Sequence, residues 1–260
     1  MKEELIQKGF VKINVPSIKS NIEESLKFLD EITSKVSGAL GLPSCESEDI
    51  LKRINKNLVA IYNKNPKGFS FIYDAFTRHE SIFNFVVNKN LKQCILDAMP
   101  PNSRSLSQLA INNIQVYLQR PGDDVNITGA HQDSGYYSEF GSSNSSLVCW
   151  IPLMKTVRGS GALEVISGSH LHGPLNHKEN PPETRKSVDR NKKGFIYLAE
   201  DQYEENLFES LECDLGDILL MNYDTVHRSG LNNSDNIRIT VIFRVSNIYG
   251  DSYLKKYGIW

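Results

Sequence analysis

The sequence predicts a mainly β fold with flanking helices, a double-stranded β-helix (jelly-roll) barrel. Three observations predict it. From about residue 110, short β-rich runs punctuated by Gly, Asn and Ser follow one another at 111–119, 147–152, 163–166, 217–221 and 237–245. No helical periodicity separates them, the pattern of a sheet closed on itself rather than of alternating strand and helix. The first hundred or so residues, in contrast, carry helical spacing. Finally, the residues that look chemically committed are far apart in the chain, and a barrel brings distant strands to one mouth.

The elements follow in order. Ile18, Ile22, Leu26, Leu29, Thr33 and Val36 recur at helical intervals after Pro16 and Ser17, an amphipathic helix that should cover one face of a sheet. Further helical stretches are expected at about 46–58 and 79–98, the second stopped by Met99-Pro100-Pro101. The strands then occupy about 109–247. Within them, 173–193 stands apart: two consecutive prolines, six basic residues, three acidic ones and no hydrophobic period read as a long loop. That loop would admit an anionic substrate or simply be a solvated face. The whole of 1–260 is expected to be one domain, with a helix-rich part at about 1–108 and a barrel core at about 109–247.

The chemistry begins at His131-Gln132-Asp133. On a strand, residues i and i+2 point to one side, so His131 and Asp133 can grip one ion while Gln132 points away. His227, 94 residues beyond Asp133 (227 − 133), is the candidate third ligand. Two imidazoles and one carboxylate on one face of a metal leave the other positions open, which suits non-haem Fe(II) oxygenases. Arg238 lies eleven residues past His227 in an apolar run that reads as a buried strand. A guanidinium there is costly unless it meets a carboxylate, and the far carboxylate of 2-oxoglutarate is a natural partner. Thr240 faces the same way and can donate a hydroxyl hydrogen bond. Bland alternatives exist: a chain with 6 His can contain an HxD triplet by accident, and His227 alone can be a hydrogen-bonded core histidine.

Four blocks change that balance. They are Tyr117-Leu-Gln-Arg-Pro-Gly122; Gly129-Ala-His-Gln-Asp133; Cys149-Trp-Ile-Pro-Leu153 running on to Gly161-Ala-Leu-Glu-Val-Ile-Ser-Gly-Ser-His170; and Gly216-Asp-Ile-Leu-Leu220 followed by His227-Arg-Ser-Gly-Leu-Asn-Asn-Ser-Asp-Asn-Ile-Arg238. In order and spacing the chain resembles the phytanoyl-CoA dioxygenase family of Fe(II)/2-oxoglutarate-dependent oxygenases over about 108–246, and Gly9-Phe-Val-Lys-Ile13 resembles that family's start. One departure is Ser167 where family members usually have proline before Gly-Ser-His, a change to a turn residue.

The resemblance implies Fe(II) held by His131, Asp133 and His227, with 2-oxoglutarate and O2 as cosubstrates. It implies hydroxylation of a small metabolite (a natural-product, sugar, amino-acid or phosphonate intermediate) with release of succinate and CO2. Ser229 and Trp150 match positions that line the family's keto-acid site. Gln115 is a further cosubstrate candidate, its alternative being a surface glutamine on an alternating strand. Related halogenases replace the carboxylate ligand with a small residue; Asp133 is kept here, so hydroxylation is favoured over halogenation. Tyr136 and Tyr137 are candidates for the substrate pocket, with core packing as the alternative. His170, His172 and His177 are close in sequence, but His170 matches the family's Gly-Ser-His turn and no second metal is inferred. A keto-acid-independent cupin-like metalloenzyme and a catalytically silent binding barrel are the competing readings, disfavoured by Arg238 and by the intact ligands respectively.

Composition bounds the rest. With 40% hydrophobic residues, 23% charged residues and a formal net charge of −2, the chain offers no general attraction to nucleic acid. Cys45, Cys94, Cys149 and Cys213 show no CxxC spacing and read as reduced thiols. No apolar signal region follows the first residues, no run is long enough for a membrane span, and Tyr257-Gly-Ile-Trp260 is no peroxisomal tripeptide, so a cytoplasmic enzyme of a small molecule is expected. The sequence leaves the oligomeric state open.

Overall fold

The computed structural model describes residues 1–99, 109–123, 127–137, 146–180, 194–247 and 258. The chain opens with helix α1 (Lys2–Lys8) and strand β1 (Phe10–Asn14), then α2 (Lys19–Ala39), the amphipathic helix, which buries Ile22, Leu26, Leu29 and Thr33. Four helices follow: α3 (Ile50–Lys64), α4 (Pro66–Arg78), α5 (Glu80–Val87) and α6 (Lys89–Ala98). Their boundaries are side-chain caps. Asp49 accepts from the backbone N–H groups of Leu51 and Lys52, Asn65 from Lys67 and Gly68, His79 from Ser81, and Asn88 from Asn90 and Leu91. This corrects the expected helical stretches. The one at 46–58 begins only after the Asp49 cap and runs on to Lys64, and the one at 79–98 is broken by Asn88, which ends α5 and starts α6. Helix α4, with Pro66 in its first turn, was not expected as a separate element. Pro100 and Pro101 lie outside the described residues.

The remaining elements are β2 (Leu109–Gln119), a short α7 (Ser134–Tyr137), β3 (Ser146–Pro152), β4 (Leu163–Ile166), β5 (His177–Glu179), β6 (Ile196–Leu198), β7 (Phe208–Leu211), β8 (Asp217–Asn222), β9 (His227–Ser229) and β10 (Arg238–Asn247). All strand pairs are antiparallel. A five-stranded sheet has the order β1-β8-β3-β10-β2, a three-stranded sheet the order β7-β4-β9, and β5 pairs with β6. The expected 173–193 loop is therefore corrected at its start, where His177–Glu179 is a strand paired with Ile196–Leu198; 181–193 lies outside the described residues.

Alternation along β10 sorts the two faces of the large sheet. Ile239, Val241, Phe243 and Val245 join the main core together with the helices, through residues such as Leu29, Leu58, Ile72 and Phe85. The opposite face, with Val148, Trp150, Leu219 and Met221, meets Leu163 and Val165 of the small sheet in a second core. The molecule is thus mainly antiparallel sheet with helices packed on one outer face. Thr240 lies opposite Tyr117, Arg238 opposite Gln119 and Ile242 opposite both Gln115 and Trp150, so these residues share the inner face.

Candidate metal and keto-acid site

His131, Asp133 and His227 converge between the two sheets. Each offers a ligand atom, and these atoms all lie within 4.8 Å of one another. The backbone does the assembling. His131 and His227 exchange both N–H···O bonds, each 3.0 Å, in an isolated antiparallel bridge, which brings their rings to 4.2 Å between centroids. The strand expected to carry His131 and Asp133 together is not formed. After the bridge the chain turns, and the Asp133 carbonyl accepts from the N–H groups of Tyr136 and Tyr137 to open α7. Asp133 still reaches back, its Oδ1 3.7 Å from His131 Nε2.

Each imidazole is oriented by its other nitrogen. His131 Nδ1 is 2.8 Å from the Gly129 carbonyl and His227 Nδ1 is 2.9 Å from the Thr225 carbonyl. A carbonyl can only accept, so both Nδ1 atoms carry the proton and both Nε2 lone pairs are left for a metal. Burial, followed by the proximity of His131, pushes the His227 pKa down to about 3, which keeps it in the neutral, ligating form. Burial would raise the Asp133 carboxyl, but Arg244 and the two histidines outweigh it and hold it well below the usual carboxylate range.

Arg244 is the residue the sequence reading missed. It is buried, and its Nε donates to Asp133 Oδ2 at 3.0 Å and its Nη2 to Oδ1 at 3.2 Å. Its Nη1 donates to Gln115 Oε1 at 2.7 Å, an oxygen that also accepts from the Tyr117 hydroxyl at 3.2 Å. Gln115 is thus placed against Arg244. The signal was available: Arg244 is three steps of two from Arg238 on the same strand face, but an alternating strand does not say which arginine meets which carboxylate.

At the other end of the inner face, Arg238 is buried and donates from Nη1 to the Gly161 carbonyl at 3.1 Å. Its Nε and the hydroxyl of fully buried Thr240 have no hydrogen-bond partner among the described residues. Burial lowers the Arg238 pKa to about 10, and no carboxylate forms an ion pair with it among the described residues. Arg238, Trp150, Ser229, Tyr117 and Arg244 line one partly open cavity with His131 and His227. The Trp150 ring lies 5.9 Å from the Arg238 guanidinium carbon, and Ser229 Oγ accepts from the Thr128 N–H at 3.0 Å. A buried guanidinium whose Nε has no partner among the described residues, lining a cavity that also holds both imidazoles, with the unpartnered Thr240 hydroxyl two residues on along the same strand, fits a dicarboxylate whose other end meets a metal beside Asp133.

The two tyrosines stand beside this cavity and do not line it. The Tyr136 ring meets His131 edge-on at 5.4 Å and its hydroxyl donates to the Ile196 carbonyl at 3.1 Å. The Tyr137 ring lies 4.7 Å from the Arg244 guanidinium carbon, and its hydroxyl accepts from Asn113. Gln132 is structural: buried, it donates to the Gly173 and Asp224 carbonyls and accepts from the Leu175 N–H. His170 and His177 are each hydrogen-bonded to backbone, at the Ile6 carbonyl and at the Gln132 N–H.

The sequence profile of the phytanoyl-CoA dioxygenase family matches residues 38–240. The chain belongs to the phytanoyl-CoA dioxygenase family. It is 32% identical over 121 residues to a phytanoyl-CoA dioxygenase domain-containing protein 1 homolog of Dictyostelium discoideum, covering 46% of this chain and 40% of that protein. It is 34% identical over 105 residues to the 1-deoxypentalenic acid 11-beta-hydroxylase of Streptomyces arenae, covering 40% and 34%. The matched segments thus span well under half of either relative. Solved structures share the fold. The non-heme monooxygenase ThoJ superposes with a TM-score of 0.63 at 17% identity, over 95% of this chain and 77% of its own. EvdO2 from Micromonospora carbonacea var. aurantiaca, complexed with 2-oxoglutarate, gives 0.56 at 16% identity over 94% and 89%. The epimerase SnoN, in complex with Fe3+, alpha ketoglutarate and nogalamycin RO, gives 0.55 at 13% over 95% and 82%.

All four cysteines are free thiols, and among the described residues no helix is long and apolar enough to cross a membrane.

Proposed function

We propose that this chain is an Fe(II)- and 2-oxoglutarate-dependent dioxygenase that hydroxylates a small molecule. The observation that carries the reading is one cavity lined by His131 and His227, beside Asp133, and by buried Arg238, whose Nε has no partner among the described residues; the hydroxyl of Thr240, two residues along the same strand, has none there either. Fe(II) with 2-oxoglutarate would supply the activation of O2, with succinate and CO2 as the products of the keto acid.

The chain's own residues do the positioning. His131 and His227 present Nε2 because their Nδ1 protons are committed to carbonyls. Arg238 and Thr240 bind the distal carboxylate, one by charge and one by a hydroxyl hydrogen bond. Trp150 and Ser229 wall the space between, and buried Val148, Leu163 and Met221 exclude water from it. A metal site without a keto acid would leave Arg238 buried for no gain, which disfavours the cupin-like alternative. Tyr136 and Tyr137, on the helix that leaves Asp133, border the substrate side in this reading. The two facing sheets are read as the halves of a jelly-roll barrel within one domain.

The test is an anaerobic titration of metal-free protein with Fe(II) and then 2-oxoglutarate, followed by its visible charge-transfer absorption. A band that saturates at one equivalent of keto acid supports the reading. Iron binding without the band returns the cupin-like alternative, and no iron binding overturns the enzyme reading.

A further inference from the structure

Two of the segments that carry the family resemblance do not line the cavity: the opening Gly9-Phe10 and the Gly168-Ser-His170 turn, 159 residues apart (168 − 9). They meet each other. The Gly168 N–H donates to the Lys8 carbonyl at 2.8 Å, and His170 Nε2 donates to the Ile6 carbonyl at 3.0 Å, since a carbonyl can only accept. Gly9 ends α1 in the left-handed region, with φ 82°, and a Cβ there would lie 2.5 Å from both His170 Nδ1 and Thr225 Oγ1.

Thr225 is where this corner reaches His227. It is fully buried, and its hydroxyl donates to the Gly9 carbonyl at 2.7 Å. Its own carbonyl accepts from His227 Nδ1 at 2.9 Å. The next N–H along the chain, that of buried Val226, donates to Ser169 Oγ at 2.8 Å. Ser169 Oγ in turn donates to the Ile166 carbonyl at 2.7 Å, so one hydroxyl is used both as acceptor and as donor.

The Thr225 carbonyl and the Val226 N–H belong to one peptide group, which is planar, so they turn together. Ser169 therefore holds one end of a rigid unit whose other end holds the His227 ring. The bridge to His131 fixes the backbone of His227; the direction of its ring, and hence of Nε2, is set by the bond from Nδ1 to the Thr225 carbonyl. If that peptide swings, the bond is lost and the Val226 N–H is left buried without an acceptor.

We propose that Ser169 is a positioning residue for iron: by fixing the Thr225–Val226 peptide it aims His227, while Thr225 fastens the same peptide to the N-terminal segment at Gly9. The proposal rests on the reading of His227 as a metal ligand. It gives the Gly-Ser-His turn and the Gly9 corner a role in metal affinity, although neither touches the metal.

The experiment measures Fe(II) affinity of the full chain anaerobically, without keto acid, beside NMR of the metal-free protein carrying nitrogen-labelled histidine. Wild-type protein should show His227 as one tautomer, protonated at Nδ1. Ser169→Ala should mix the two tautomers and weaken Fe(II) binding about tenfold, the low end of what losing a bond behind a ligating histidine costs. Thr225→Val should act in the same direction, and Thr225→Ser, which keeps the hydroxyl, should bind Fe(II) within about twofold of wild type. Should Ser169→Ala fail to fold, the two Thr225 variants carry the test. Wild-type Fe(II) affinity in folded Ser169→Ala, or in Thr225→Val where that is the variant read, overturns the proposal, and so does an equal loss in Thr225→Val and Thr225→Ser. Failure of the wild-type chain to bind Fe(II) overturns the metal reading and this proposal with it, an outcome separable from the others because it needs no variant.

Discussion

Arg238 and Arg244 stand on the same face of β10, three steps of two apart, in opposite electrostatic states. Arg244 is paired with a buried carboxylate whose charge, against the opposing effect of burial, raises its pKa. Arg238 donates to the Gly161 carbonyl and has no carboxylate paired with it among the described residues, and burial brings its pKa down to about 10. One strand therefore carries a cation paired with the Asp133 carboxylate and, six residues away, a second one with no carboxylate partner among the described residues.

Replacing Arg238 with Gln should weaken 2-oxoglutarate binding while leaving Fe(II) binding within about twofold. A charged hydrogen bond of this kind contributes about 1.5–3 kcal/mol, a loss of roughly 10- to 150-fold in affinity. Isothermal titration with each component separately checks it. Equal losses of metal and keto acid would make Arg238 a structural residue.

Asp133→Ala should abolish stoichiometric iron binding, measured as metal content after anaerobic loading and desalting. It should also cost stability, because Arg244 remains buried without its carboxylate. Breaking a buried pair from one side costs about 3–5 kcal/mol, so the urea midpoint of the metal-free variant should fall clearly. An iron content equal to wild type would remove Asp133 from the ligand set.

The metal-free protein should lose stability on acidification. The folded pKa of His227, about 3, is below that of a free histidine, about 6.5. Between those values the unfolded chain binds a proton that the folded chain refuses. The stabilisation is therefore complete above about pH 6.5 and declines as pH falls toward 3, by about 1.4 kcal/mol per pH unit at its steepest. Asp133, with its folded pKa depressed, adds a loss of the same sign below about pH 4. Urea midpoints from pH 7 to 5 test the first component, and His227→Gln should flatten that part of the curve.

Gly161→Ala should damage both stability and keto-acid binding. Gly161 has φ 81°, and an added Cβ would collide with Gln119 Oε1 and press on Arg238 Cδ at 3.2 Å. A destabilisation of about 1–3 kcal/mol is expected, with weakened 2-oxoglutarate binding because the displaced residue is the one proposed to bind its carboxylate. Wild-type affinity in a folded variant would show that the Arg238 side chain adjusts.

Much of this was legible because two signals are local. Strand alternation marked Ile239, Val241, Phe243 and Val245 as one face and Arg238 and Thr240 as the other, and helical spacing from Ile22 to Thr33 marked α2. The caps were less legible: Asn88 is one polar residue in an otherwise helical stretch, and only its side-chain bonds to Asn90 and Leu91 show the break.

By itself the sequence marked the candidate ligands, the buried arginine and the main strand runs, since each depends on residue chemistry and on periods of two or 3.6; it did not separate α4, the break at Asn88 or the short strands β5 and β6. Tertiary structure decided which groups meet. The bridge between His131 and His227, the turn that carries Asp133 back toward them, and the seating of Arg244 on Asp133 join residues about a hundred positions apart. No local period encodes such contacts; the register of β10 against β2 and β3 and the packing of the two sheets fix them.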